Sequence, residues 1–297
     1  ESTYGTAPAS GFHKMPFAST TLGAEQPLIE NELLGFGRDP LAPIKDAVTA
    51  DGDVVVPIDA ENFWLWLKAA FGAPSTDGTG PYDHEFTSGG WDLPSMAIEV
   101  GMPEIPRYAM YAGCKLDQLS FQMQRSGQLQ ATASLVAQGE NRAASSAAGT
   151  LTELDLKRFG NFNGSVKRDG SALANLISAE VTYANNLDRI ETIRSDGKID
   201  GADASIAALT GNIEVRFANE TLVDQAVNGN ACELEFGFTL GSGEQFKLVA
   251  HEVYLPRPRI EVSGPQGIQA TFDWQAALNT TEGVMCTATL TNNTETY

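Results

Sequence analysis

The chain has 297 residues, 42% of them hydrophobic, enough for a sizeable buried core and too apolar for a disordered segment. Its formal net charge of −19 is spread evenly, −10 over residues 1–150 and −9 over 151–297, with no basic cluster, which argues against tight binding to nucleic acid or to an anionic membrane. No run of side chains has the apolar length of a bilayer-spanning helix and no secretory leader is visible, so the sequence reads as a soluble subunit.

In chain order, residues 1–50 show little regular pattern. A Gly-led strand, Gly52-Asp53-Val54-Val55-Val56, runs into a helix over residues 60–71 that Asp59 caps and Gly72 ends. Phe63, Leu67 and Ala70 share one helix face, and Trp64 and Trp66 widen it. Residues 73–95, with Pro74, Gly78, Gly80, Pro81, Gly89, Gly90 and Pro94, read as one long loop around a short His84-Glu85-Phe86 strand. Apolar residues then alternate with polar ones: Leu119, Phe121 and Met123; Leu129, Ala131, Ala133 and Leu135; Ile177, Ala179, Val181 and Tyr183; Ile213, Val215 and Phe217. Beyond a short helix over about 219–227, closed by Gly229, come Leu234, Phe236, Phe238 and Leu240; Ile268, Ala270, Phe272 and Trp274; and Val284, Cys286, Ala288 and Leu290. Strands with one buried and one wet face imply antiparallel sheet, and Gly and Pro punctuate them as in a β-sandwich or barrel.

The order of strand, helix and strand pair occurs twice, at an offset of about 150–160 residues, which reads as a tandem duplication. The Ala/Ser/Gly-rich stretch 139–150 reads as a pliable connector between units 1–150 and 151–297.

Searching for chemistry gives expectations of absence. Gly-x-Ser-x-Gly, Gly-x-x-x-x-Gly-Lys-Ser/Thr and His-Glu-x-x-His do not occur. Cys114, Cys232 and Cys286 read as buried free thiols, and His13, His84 and His251 fit no ligand spacing. His84 and Glu85, adjacent on a strand, point to opposite faces and do not cooperate. The run from Asp196 through Asp200 to Asp203 lacks the alternate acids of a calcium loop and reads as a solvated turn. Trp64 and Trp66 read as core or subunit contacts, not sugar platforms. No catalytic, cofactor-binding or metal-binding residue is assigned, and the chain is expected not to be an enzyme.

The Gly52–Gly72 strand and capped helix carry a resemblance together with Gly80-Pro81-Tyr82-Asp83-His84-Glu85-Phe86, Leu93-Pro94-Ser95-Met96-Ala97-Ile98-Glu99-Val100 and Tyr111-Ala112-Gly113-Cys114-Lys115-Leu116. In this order and spacing the chain resembles the tail tube proteins of siphophages, closely over about residues 45–137 and more loosely after 165. The resemblance implies antiparallel sandwich or barrel domains, each with one packed helix, in rings of six tube domains stacked into a hollow virion tail. With two such domains per chain, three chains are expected to complete the ring as a homotrimer of pseudo-sixfold symmetry; a homohexamer of single-domain chains is the alternative. It also implies synthesis in the bacterial host cytoplasm and no membrane partner. The partners are further copies of the chain, the tape-measure protein, DNA passing without specific binding, and terminator and distal tail proteins. The segments expected to mediate ring stacking are 1–40 and 73–95. Glu180, Glu214, Glu233 and Glu235, on polar strand faces, are candidates for an acidic lumen. A terminator or baseplate hub ring, or a β-sandwich adhesin or glycan-binding module, are the alternatives.

Overall fold

The computed structural model describes residues 1–216, 221–257 and 269–297. Four short strands, β1 (Ser19–Thr20), β2 (Gly23–Glu25), β3 (Leu28–Ile29) and β4 (Ile44–Lys45), precede β5 (Thr49–Pro57). Then come α1 (Trp64–Phe71), β6 (Ser75–Asp77), β7 (Tyr82–Thr87), β8 (Met96–Met102), β9 (Arg107–Gln124), β10 (Gln130–Ala137) and β11 (Gly139–Ala143). The second half holds β12 (Gly164–Arg168), β13 (Ser171–Ala172), β14 (Leu176–Ala184), β15 (Asp188–Ile190), β16 (Gly201–Asp203) and β17 (Ala208–Arg216). It ends with α2 (Thr221–Asn228), β18 (Cys232–Thr239), β19 (Gln245–Tyr254), β20 (Gln269–Ala276) and β21 (Cys286–Asn292).

All the pairings between these strands are antiparallel, and they build two layers. The first runs β5–β10–β9–β14–β17–β20, with β1 and β2 on the outer edge of β5. The second runs β13–β12–β18–β19–β21–β7–β6. They meet at one corner, where Val253 and Tyr254 pair with Ala276 and Gln275, and stay open elsewhere, so the architecture is a sandwich and not a closed barrel. Facing aromatics fill the interior. Phe121 of the first layer lies 6.3 Å from Phe238 and 6.0 Å from Phe246 of the second, and Phe236 stacks on Trp274 at 5.7 Å.

The alternating runs behave as their period requires. Phe121, Met123, Val181, Tyr183, Ile213, Val215, Phe236, Phe238, Phe272, Trp274 and Leu290 are all buried. Phe217, Ile268 and the expected helix start at Asn219 lie outside the described residues. Asp59 caps as expected: its Oδ1 accepts from the backbone N–H of Glu61 (2.9 Å) and Asn62 (2.7 Å). Those bonds hold a turn over residues 60–63, however, and the helix begins only at Trp64. It ends at Gly72, whose φ of 96° places it in the left-handed region. Phe63 and Phe71 anchor the helix on Phe246 (5.3 Å) and Tyr183 (4.4 Å), one from each layer.

Two sequence readings need correction. Residues 73–95 are not one loop but contain β6 and β7, and β7 is an interior strand between β6 and β21 whose Phe86 is buried. The 139–150 stretch is not a free connector: β11 pairs with the first part of β9, and the Glu99 carboxylate accepts from the Ala147 N–H at 2.7 Å. Small residues permit this close pairing as readily as flexibility. A strand feeding a helix occurs twice, as β5–α1 and β17–α2, and strands of the two halves also pair with one another. β9 of the first half pairs with β14 of the second, β7 pairs with β21, and one buried core runs through both halves.

The long strand β9 changes sheet along its length. Its C-terminal part belongs to the first layer, and its N-terminal part pairs with β8 and β11 in an extension. Gly113 sits at the crossing with φ 68°, and a Cβ there would lie 2.9 Å from both Gln138 Cβ and the Tyr4 ring.

Candidate functional site

The outer face of the first layer is a continuous polar surface that the register defines. Cross-strand partners fall in four rows. These are Gln122–Glu180–Asn212–Asp273, Gln124–Ser178–Glu214–Thr271, Val55–Thr132–Ser120–Thr182–Thr210–Gln275 and Asp53–Ser134–Gln118–Ala184–Ala208. They hold four carboxylates and no Lys, Arg or His; hydroxyls and amides make up most of the rest. Because side chains alternate across a strand, the same strands that bury Val181, Ile213 and Phe272 must present Glu180, Glu214 and Asp273 outward.

Short-range hydrogen bonds hold these side chains along the sheet. Asn212 Nδ2 donates to Glu180 Oε2 (2.9 Å), Ser178 Oγ to Glu214 Oε2 (3.1 Å) and Ser134 Oγ to Asp53 Oδ1 (2.6 Å). Among the described residues cations sit at the margins: Arg216 is two residues beyond Glu214, Arg189 is held on Asp51 at 2.6 Å, and Arg257 follows Tyr254, Leu255 and Pro256, which line a pocket with Glu180 and Asp273. Lys115, past the bulge of β9, is turned aside and donates to the Ala202 carbonyl at 2.7 Å.

Glu233 and Glu235, grouped with Glu180 and Glu214 on sequence grounds, lie on the other layer. There Lys167 Nζ holds Glu235 at 2.7 Å, His251 Nδ1 stands 3.7 Å from Glu233, and Lys247 is the cross-strand partner of Gly237. Among the described residues, the rows of one outer face are thus acidic, and the other outer face is of mixed charge. Alternation alone separated neither pair, because it says which residues face outward but not from which layer.

The second surface feature is an arm over residues 25–47. It is rooted where β5 begins: β3 pairs with β4, Gln26 Nε2 donates to the Asp46 carbonyl (2.8 Å), and the Val48 N–H donates to the Gly197 carbonyl (2.8 Å). Its large apolar side chains face outward, with Leu34 95% and Leu33 67% exposed, and Leu28, Phe36 and Ile44 similarly open. A contiguous exposed set of this kind marks an interaction surface.

The residues considered for chemistry take structural places. His84 is buried, with Nδ1 2.9 Å from Thr76 Oγ1 and Nε2 2.9 Å from the Thr294 carbonyl, while Glu85 points to the opposite face. Cys114, Cys232 and Cys286 are buried free thiols; burial pushes Cys232 up to about 11 and Cys286 up to about 12, and raises Cys114 further. The Asp196–Asp200 turn holds the protein's own cation: Arg194 bridges both carboxylates, and its hydrogen bonds lower the Asp196 carboxyl well below the usual range. Trp64 and Trp66 are buried, and Tyr297 stacks on Trp64 at 4.4 Å. His13 meets the edge of the same indole at 5.6 Å.

These features define a class: a mainly antiparallel β-sandwich with one acidic, amide- and hydroxyl-rich sheet face and an arm that turns apolar side chains outward. Within that class the family model for phage tail tube proteins matches residues 1–276, and the chain belongs to that family. The structural role this family implies places the chain in the virion tail. A search of the curated proteins gives no match.

Proposed function

We propose that the chain is the subunit of a siphophage tail tube, and that the outer face of its first layer lines the channel through which the genome leaves the virion. The observation that carries this reading is the row register: four carboxylates and no cation stand on a face of amides and hydroxyls. Phosphates sliding past such a wall meet diffuse repulsion and no point of attachment. Strand edges that would be a liability in a monomer become the lateral joints of the ring.

Two ring compositions follow from the repeat in the sequence: three chains of two tube domains, or six chains of one. The shared core and the β9–β14 and β7–β21 pairings favour six, because no layer belongs to one half alone. The tape-measure protein would occupy the channel before ejection, with terminator and distal tail proteins at the tube ends.

The test is electron microscopy of concentrated protein, followed by ejection kinetics. Long regular tubes are expected. Single rings would instead indicate a terminator or hub, and small glycan-binding particles an adhesin. Virions carrying Glu180→Lys, Glu214→Lys and Asp273→Lys are expected to build normal tails but to release DNA several-fold more slowly. Unchanged ejection from such tails would remove the face from the channel.

A further inference from the structure

We propose that the apolar arm of one copy seats in a groove at the opposite end of a copy in the next ring. This rests on the tube reading and names the contact that would propagate it.

The two surfaces lie at opposite ends of the same sheet. The arm is rooted at the start of β5, beside the end of β14 and the start of β17. The groove lies at the other end, where β17 finishes and β14 begins. Its volume is about 280 Å³. Val215, Leu222 and Phe272 form its floor, and Leu173, Arg168 and Arg216 stand around it. A contact between unlike ends of identical subunits does not close on itself, so it extends an axis.

Chemistry matches the two sides. The arm sequence Leu28-Ile29-Glu30-Asn31-Glu32-Leu33-Leu34 offers four apolar side chains and two carboxylates. The groove offers an apolar floor and two guanidinium groups against one carboxylate, Asp169, 3.5 Å from Arg168 Nε, in a chain with twice as many acidic as basic residues. Arg168 is already oriented, its NH1 donating to Gln225 at 2.9 Å.

Cysteine pairing tests the contact directly, since the three native thiols are buried. A chain carrying Leu33→Cys and Leu173→Cys is assembled into tubes, oxidised and run on a non-reducing gel. A ladder of linked chains is expected from tubes and not from unassembled subunits, and none is expected from Leu33→Cys with Thr87→Cys, an exposed position on the second layer's outer face. In parallel, Glu30→Arg with Glu32→Arg is expected to shorten tubes at least ten-fold, and adding Arg168→Glu with Arg216→Glu to restore length. If wild-type tubes form but the ladder equals the control and the charge-reversed arm polymerises normally, this inference falls alone. If wild-type protein builds no tubes, the tube reading falls and takes it along.

Discussion

Trp274 reaches across its strand into the space where a neighbouring side chain would begin. A Cβ on Gly211 would lie 1.9 Å from the Glu180 carbonyl oxygen and 2.6 Å from the Trp274 indole. Gly211→Ala is therefore expected to cost about 1–3 kcal/mol through overpacking, read as a lowered urea midpoint with an unchanged slope. A second residue-scale expectation concerns acid. The Glu244 carboxyl is held down to about 2, first by the Ser242 hydroxyl and then by Lys157, which also donates to Glu61 at 2.8 Å. A carboxyl depressed in the folded state stabilises fully above its unfolded value, near 4.3, and loses that contribution as pH falls toward 2. Denaturant titrations at pH 5 and pH 2.5 should show a smaller acid loss in Glu244→Gln than in the parent chain.

At the scale of elements, the arm and the β6–β7 segment make opposite predictions although both looked irregular in the sequence. Deleting residues 28–44 and joining the stumps with a short Gly/Ser turn removes no buried side chain, and the melting temperature is expected to move by no more than about 2–4 °C. Deleting 73–93 removes β7 with buried Phe86 and His84, and the chain is expected to be insoluble or to lack a cooperative transition. Circular dichroism melts of the two deletions decide this. The contrast also marks what could be read from residues alone. Strands with strict alternation, such as Leu119–Met123 and Leu234–Phe238, announced themselves, and so did the Asp59 cap and the Gly72 stop. β7 was legible only as His84–Phe86 because glycines and prolines crowd its flanks. β11 was hidden because Gly139-Glu140-Asn141-Arg142-Ala143 has no apolar period; it is a strand because β9 lies beside it. The start of α1 moved to Trp64 because Asp59 used its capping oxygen on a turn.

At the scale of the molecule, the antiparallel class and the acidic balance were legible, but the division of carboxylates between layers was not. Glu180 and Glu235 sit in similar local patterns, and only the long-range pairing of β14 with β9 and of β18 with β12 puts them on different faces. The same pairings bear on ring composition: native mass spectrometry of isolated rings is expected to give six copies, and a mass of three would mean that each chain carries two tube domains.

The seam between β7 and β21 has a temporal meaning. Its register joins Thr87 to Thr287 and Asp83 to Thr291, so the second layer is completed only by β21, which follows every other strand of that layer in the chain. Closing so distant a pair costs more chain entropy than closing a local hairpin, and non-local pairings of this kind slow folding. Until then the nascent polypeptide lacks a finished sandwich to offer its neighbours. Late closure would thus keep half-made subunits out of a growing polymer, a timer written into strand order.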